Sequence, residues 1–177
     1  MGTDIHPVVE CYRDGSWHLV EADLPRDRNY WGFAVLADVR NGHGFGGLDT
    51  GDPITPIDEP RGLPPDASPE LRAALKKNHW LLGDHSISWV TLEELLDYDL
   101  DAPVICRASV PPEEAERMRA SGEPPRLFAA YSADPDWVRL EWYEPLRNRA
   151  WLILRLIEAL IPLGAPGEVR LVFGFDC

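Results

Sequence analysis

The chain reads as an α+β protein, a mainly antiparallel sheet that opens with an N-terminal hairpin and carries helices packed on one face. Three observations predict this class. Asp14-Gly15 is a favoured two-residue turn between segments rich in Val, Tyr, Trp and Leu. The strongest amphipathic pattern, Leu146, Ala150, Ile153, Leu154, Ile157 and Leu160, comes late and repeats at helical spacing. The chain then closes on Glu168-Val-Arg-Leu-Val-Phe-Gly-Phe-Asp176, a further strand. The alternating βαβ units of a doubly wound parallel sheet are not visible.

Each element has its own local reason. With Arg13 opposite Ser16, residues 5–12 and 16–22 pair so that Ile5, Val9, Cys11, His18, Val20 and Ala22 share one face. The other face carries Asp4, His6, Val8, Glu10, Tyr12, Trp17, Leu19, Glu21 and Asp23, which gathers carboxylates round one imidazole and sets His6 roughly opposite Asp23. From Asn29 to Asp38 the spacing of Tyr30, Phe33, Ala34 and Ala37 is helical, and Asn41-Gly42 ends it. Residues 42–69 are dense in Gly and Pro and exceed an ordinary connection, which suits either a functional flap or a mobile insertion. Ser68 as N-cap and Pro69 at the first helical position open a helix through about Lys77. Thr91-Leu-Glu-Glu94 has the form of a capping box, so a helix runs from about Leu92 to Tyr98 and Gly83 to Trp89 is the loop feeding it. Residues 103–110 and 137–143 read as strands, 112–120 as a short helix, and Pro162 and Gly164 stop the late helix.

At 177 residues, with 45% hydrophobic residues and seven Trp, the chain fits one folded domain, residues 1–177. No run approaches the roughly 18 consecutive apolar residues of a membrane span, and the start lacks a signal-peptide layout, so the expected compartment is the cytoplasm, with no membrane partner. Cys11, Cys106 and Cys177 show no CxxC or Cys/His spacing, which suits reduced thiols and encodes no structural zinc site. A formal charge of −13 repels phosphate backbones and disfavours autonomous DNA binding.

The candidate chemistry centres on two imidazoles. Asp4 and His6 stand two apart on one strand face, the donor types that hold a divalent metal or form a general base with its orienting partner. His85, in Asp84-His85-Ser86-Ile87-Ser88-Trp89, is a second acid/base, and Ser86 and Ser88 are placed to hold an anion at a helix entrance. Asp38 joins His6 and His85 as a candidate catalytic group at the end of the first helix. Asn29, Arg40 and Asn41 bracket that helix as candidate ligand-binding groups, and Arg61 could reach over a site from the long loop. For each, a cap, a turn or a surface ion pair is the competing role. The G-x-S-x-G elbow, the Walker loop, H-E-x-x-H and the Rossmann glycine pattern are absent.

Several of these pieces, M-G-T-D-I-H, R-N-Y-W-G-F-A-V-L-A-D-V-R-N-G, P-I-D-E-P-R-G-L-P, H-S-I-S-W-V-T-L-E-E-L and V-R-L-V-F-G-F-D, resemble an uncharacterised family found in bacteriophages and in bacteria that carry them, over nearly the whole chain. In that family the block often reads H-S-x-S before Trp or Tyr, and in some members a second His stands where this chain has Ile87, so the resemblance does not imply a two-histidine site here. The resemblance implies a phage-type protein that acts on a host factor, a nucleotide signal or nucleic acid, and it supplies no reaction. The expected function is a hydrolase of a small anionic or nucleotide-like ligand, assisted by a divalent metal at Asp4 and His6. The alternative is a non-catalytic acidic protein, an inhibitor or sponge that occupies a protein or ligand partner.

Overall fold

The computed structural model describes residues 2–177. Strands β1 (Asp4–Ile5), β2 (Val8–Arg13), β3 (Ser16–Val20), β4 (His85–Thr91) and β7 (Val169–Asp176) form one antiparallel sheet, and β5 (Pro103–Val110) and β6 (Val138–Pro145) form a second. The helices are α1 (Tyr30–Ala37), α2 (Pro69–Lys77), α3 (Leu92–Asp97), α4 (Pro112–Ser121) and α5 (Trp151–Leu160). In the main sheet β7 is central. β1 and β2 follow one another along one of its edges, β4 lies along the other, and β3 extends beyond β2. The hairpin register is the expected one, Arg13 opposite Ser16 and Cys11 opposite His18, because Asp14 and Gly15 both take positive φ in the turn.

One face of the main sheet carries the larger core. Ile5, Val9, Cys11, Val90, Leu171, Phe173 and Phe175 meet α1, α3 and α5, whose buried residues include Phe33, Leu36, Leu92, Leu95, Leu152 and Leu156. α1 is buried along almost its whole length, as its uniformly apolar sequence demands. The late apolar run is broken in two: Leu146–Asn148 is a 3-10 turn, and α5 starts only at Trp151.

The opposite face is covered as well. Val8, Leu19, Ile87, Trp89 and Val172 pack with Leu71 and Leu75 of α2 and with Leu63, Ala67, Leu81 and Leu82. The face that the sequence marks as a cluster of carboxylates is therefore interior along β2. Glu10 stands opposite Arg170, and they form an ion pair at 2.8 Å with 0% and 2% of their side chains exposed. Glu10 also accepts the Ser68 N–H at 2.7 Å, which fastens the start of α2 to the sheet. Asp66 accepts from Arg170 at 2.7 Å, and Trp17 lies against the guanidinium at 3.9 Å.

The Gly/Pro-rich stretch is fastened to the rest of the fold at several points. Asn41 clamps Ile54, donating to its carbonyl at 2.6 Å and accepting its N–H at 2.8 Å. Gly51 bridges Cys106 on β5, the Ile57 N–H reaches Val35 O of α1, and the Gly62 N–H reaches Ile87 O of β4. The strap thus ties the small sheet to the large one. Its polar anchor is Arg61, which donates to Glu94 at 2.6 Å, to Asp58 at 2.8 Å and to the Trp89 carbonyl at 3.1 Å.

Residues 85–89, expected from the sequence as part of a loop from Gly83 to Trp89, lie in strand β4. Pairing with β7 imposes extended backbone, and a register shift between His85 and Ser88 absorbs Ser86 at φ 50°. Thr91 and Glu94 form the capping box of α3. Gly83, at φ +75°, turns so close to β7 that a side chain would strike the Phe175 carbonyl.

These anchors make stability sensitive to acid. Desolvation pushes the Glu94 carboxyl up, but hydrogen bonds from Arg61 and the Thr91 N–H outweigh it and hold the group below its ordinary value of 4.5. Arg61 and the Glu59 N–H lower Asp58 in the same way. A lowered carboxylate adds stability above its unfolded pKa and loses it as pH falls through the folded one. The urea midpoint should therefore drop as pH is taken from neutral to about 3, and the deficit of Glu94→Gln against the native chain should shrink over the same interval. A deficit that is constant with pH would contradict the assignment.

Candidate functional site at the end of the sheet

Strand alternation decides what gathers where β7 ends. Phe175 points into the larger core and Asp176 to the opposite side. Across the two edges, Asp4 stands opposite Asp176, while Ile5 and His85 both stand opposite Phe175. Residues 3–6, 85–86 and 175–177 therefore converge although they are far apart in sequence.

On the core side, the His85 ring stacks near Phe175 with centroids 6.0 Å apart. Its Nδ1 lies 3.0 Å from Ser86 Oγ, and its Nε2 lies 3.4 Å from Cys177 Sγ. The bulge explains the first contact, because positive φ at Ser86 turns the hydroxyl back onto the preceding ring. Cys177 Sγ is also 3.4 Å from the hydroxyl of buried Thr3, which accepts from Arg40 Nε at 2.9 Å. The Arg40 guanidinium lies 5.6 Å from the Tyr30 ring centre, and the Tyr30 hydroxyl accepts from the Thr3 N–H at 3.4 Å. Cys177 is exposed. Cys11 and Cys106 are buried, and burial pushes both thiols up, Cys106 to about 11.

On the other side, His6 Nε2 and Asp176 Oδ2 are 2.9 Å apart, with 30% and 40% of the side chains exposed. Asp4 does not join them as a ligand. Both of its oxygens accept from Arg28 at 2.7 Å, and that guanidinium is the main reason its carboxyl lies below the ordinary range. Among the described residues no group of three or more His, Cys, Asp or Glu is placed to hold a metal ion, so the expected metal pair of Asp4 and His6 lacks a ligand set.

The other expected site residues divide sharply. Arg40, His85 and Ser86 come to the sheet end. Asn29 is spent on the fold: its Oδ1 caps α1 through the Gly32 N–H at 2.7 Å, and its Nδ2 donates to the Arg149 carbonyl at 2.8 Å. Asp38 is the exposed left-handed C-cap of α1 and accepts from Asn41 at 2.6 Å, remote from both imidazoles in its bonding. Asn41 and Arg61 hold the strap, and Ser88, 1% exposed, accepts the Arg61 N–H at 3.1 Å. His6 has Asp176 as its partner, since β3 ends at Val20, short of Asp23. The sequence reading missed Thr3, Asp176 and Cys177. Two strand-like termini carrying polar residues were the available signal, and their pairing through β7 was not.

The arrangement is an α+β scaffold in which the Cys177 thiol, the His85 imidazole and the Ser86 hydroxyl are neighbours, with Arg40 reaching the same thiol through Thr3. In comparisons with protein-family models, curated proteins and solved structures, nothing matched this chain.

Proposed function

We propose that the protein is a hydrolase in which Cys177 is the nucleophile and His85 its base, acting on a small anionic acyl substrate. The observation that carries this reading is the 3.4 Å approach of Cys177 Sγ to His85 Nε2, with His85 Nδ1 held at 3.0 Å by Ser86. Nucleophile, base and orienter at these spacings are the general pattern of covalent catalysis. With Nδ1–H donating to Ser86 Oγ, the Nε2 lone pair faces the thiol. His85 takes the thiol proton as sulfur bonds to the acyl carbon, and it returns that proton to the leaving oxygen as the carbon–oxygen bond breaks. Water, deprotonated by the same imidazole, then cleaves the thioester, and the proton passes back to sulfur. The Arg40 side chain, held by Thr3, supplies positive charge for an anionic substrate on a chain of net charge −13. Within the expected class of small anionic or nucleotide-like ligands, the proposal takes an acyl compound as the substrate of the thiol.

The test is turnover of para-nitrophenyl hemisuccinate, an activated ester that carries a carboxylate. The native chain should release nitrophenolate in a burst followed by a steady state, and Cys177→Ala should show neither. Equal steady-state rates would sink the proposal.

A second reading, an acidic binding protein, is favoured by one observation. Leu127, Phe128, Tyr131, Val138 and Tyr143, in β6 and the segment that precedes it, are all exposed, and the same stretch of chain carries Asp134, Asp136 and Glu141. Loss of a partner on substitution of Tyr131 and Tyr143, with Cys177→Ala unaffected, would select that reading.

A further inference from the structure

A second polar centre, formed by other side chains than the thiol and imidazole, lies in a cavity of about 180 Å³ lined by Trp31 of α1, Thr50 of the strap, Arg107 and Ala108 of β5, Phe128, Ala130 and Arg149. We infer that this cavity is a binding site for a compact carboxylate with a flat apolar body, recognised by Arg149. The inference is independent of the thiol chemistry proposed above.

The argument starts from how Arg149 is held. Its side chain is only 15% exposed, with the guanidinium carbon 4.3 Å from the Phe128 ring centre and 5.2 Å from that of Trp142. Glu144 Oε1 lies 2.7 Å from Nε, yet off the line of the N–H, so Nε is the buried side-chain polar atom without a hydrogen bond among the described residues. Glu144 is itself shared, accepting from the Trp142 indole at 2.8 Å and from Asn148 at 3.2 Å. Burial pushes the neighbouring Cys106 thiol up to about 11, against the contact of its sulfur with the Arg149 side chain, which lowers it. No other carboxylate, carbonyl or hydroxyl of the described residues accepts from this guanidinium. Glu144 occupies the buried Nε edge, which leaves the terminal Nη1 and Nη2 of this stacked arginine as the donors for a carboxylate in two-point contact.

The rest of the lining sets the ligand's shape. Arg107 adds nothing for an anion, since Glu141, Asp49 and Asp52 already surround it at 2.8, 3.3 and 2.6 Å. The Thr50 hydroxyl has no protein partner among the described residues and supplies a further donor. Trp31 and Phe128 give flat apolar walls, and the volume is below the several hundred Å³ typical of larger ligands. One carboxylate on one small ring satisfies these conditions, whereas a polyphosphate would meet the carboxylates round Arg107.

The test uses benzoate, with benzamide as the uncharged isostere, titrated into the intact chain while the indole N–H signals of Trp31 and Trp142 are followed by NMR. Benzoate should shift Trp31 saturably at millimolar concentration or below, and benzamide at least about tenfold more weakly. Arg149→Lys keeps a charge opposite Glu144 but loses the fork, and should weaken benzoate by at least about tenfold. Thr50→Val leaves the ion pair untouched and should weaken it a few-fold. Unshifted Trp31 at saturating benzoate, equal binding of benzamide, or full affinity in Arg149→Lys would each overturn the inference.

Discussion

Arg170→Met should destabilise the protein by about 3–5 kcal/mol, the usual consequence of removing one partner from a buried ion pair. Glu10 would be left 0% exposed with only the Ser68 N–H to satisfy it. Desolvation pushes the Asp66 carboxyl up, while Arg170, aided by a backbone N–H and the Trp17 indole, holds it below the ordinary range, and that guanidinium would be lost. The Trp17 ring would lose the cation beneath it. The double replacement Glu10→Leu with Arg170→Met should cost less than the sum of the single ones, because no charge remains buried without a partner. Urea unfolding of the four proteins measures this directly. Additive losses would mean that the pair is not coupled, and the second core would then rest on apolar packing by α2 alone.

The other large effect concerns catalysis. If Cys177 and His85 act as nucleophile and base, Cys177→Ala should abolish ester turnover, and His85→Phe should lower kcat/KM by about 10²–10⁴. Phenylalanine keeps the ring against Phe175, so the end of the sheet should stay folded. Ser86→Ala should have a smaller effect, since it orients the imidazole without touching the acyl group. Replacing His6 distinguishes the two sides of the sheet. His6→Gln disturbs only the contact with Asp176 and should leave turnover within a few-fold of the native chain. A loss as large as that in His85→Phe would instead mean that both imidazoles serve one site.

Local chemistry made much of the fold legible. Asp14-Gly15 fixed a hairpin and its register, Ser68-Pro69 the start of α2, and Thr91 with Glu94 the start of α3. What was not legible depends on β7. Residues 83–89 look like a loop until β7 supplies a partner strand for His85 onward, and Glu10 looks solvated until Arg170, 160 residues later, is placed opposite it. The site has the same limit. His85 and Cys177 are 92 residues apart, and nothing in the spacing of either marks the pair. Asn29, Asn41 and Arg61 carry the same residue types whether they bind a ligand or hold a cap and a strap, so only the geometry separates the two roles.

The most direct test of the thiol and imidazole pair is the rate of alkylation by iodoacetamide at neutral pH, resolved by mass spectrometry at each cysteine. Thiolate is the reacting form, so a cysteine whose proton is taken by His85 should label first, while buried Cys11 and Cys106 stay unlabelled until the chain unfolds. Labelling of Cys177 should slow by at least about tenfold in His85→Phe. An unchanged rate in that variant would show that His85 does not activate Cys177 and would contradict the proposed chemistry.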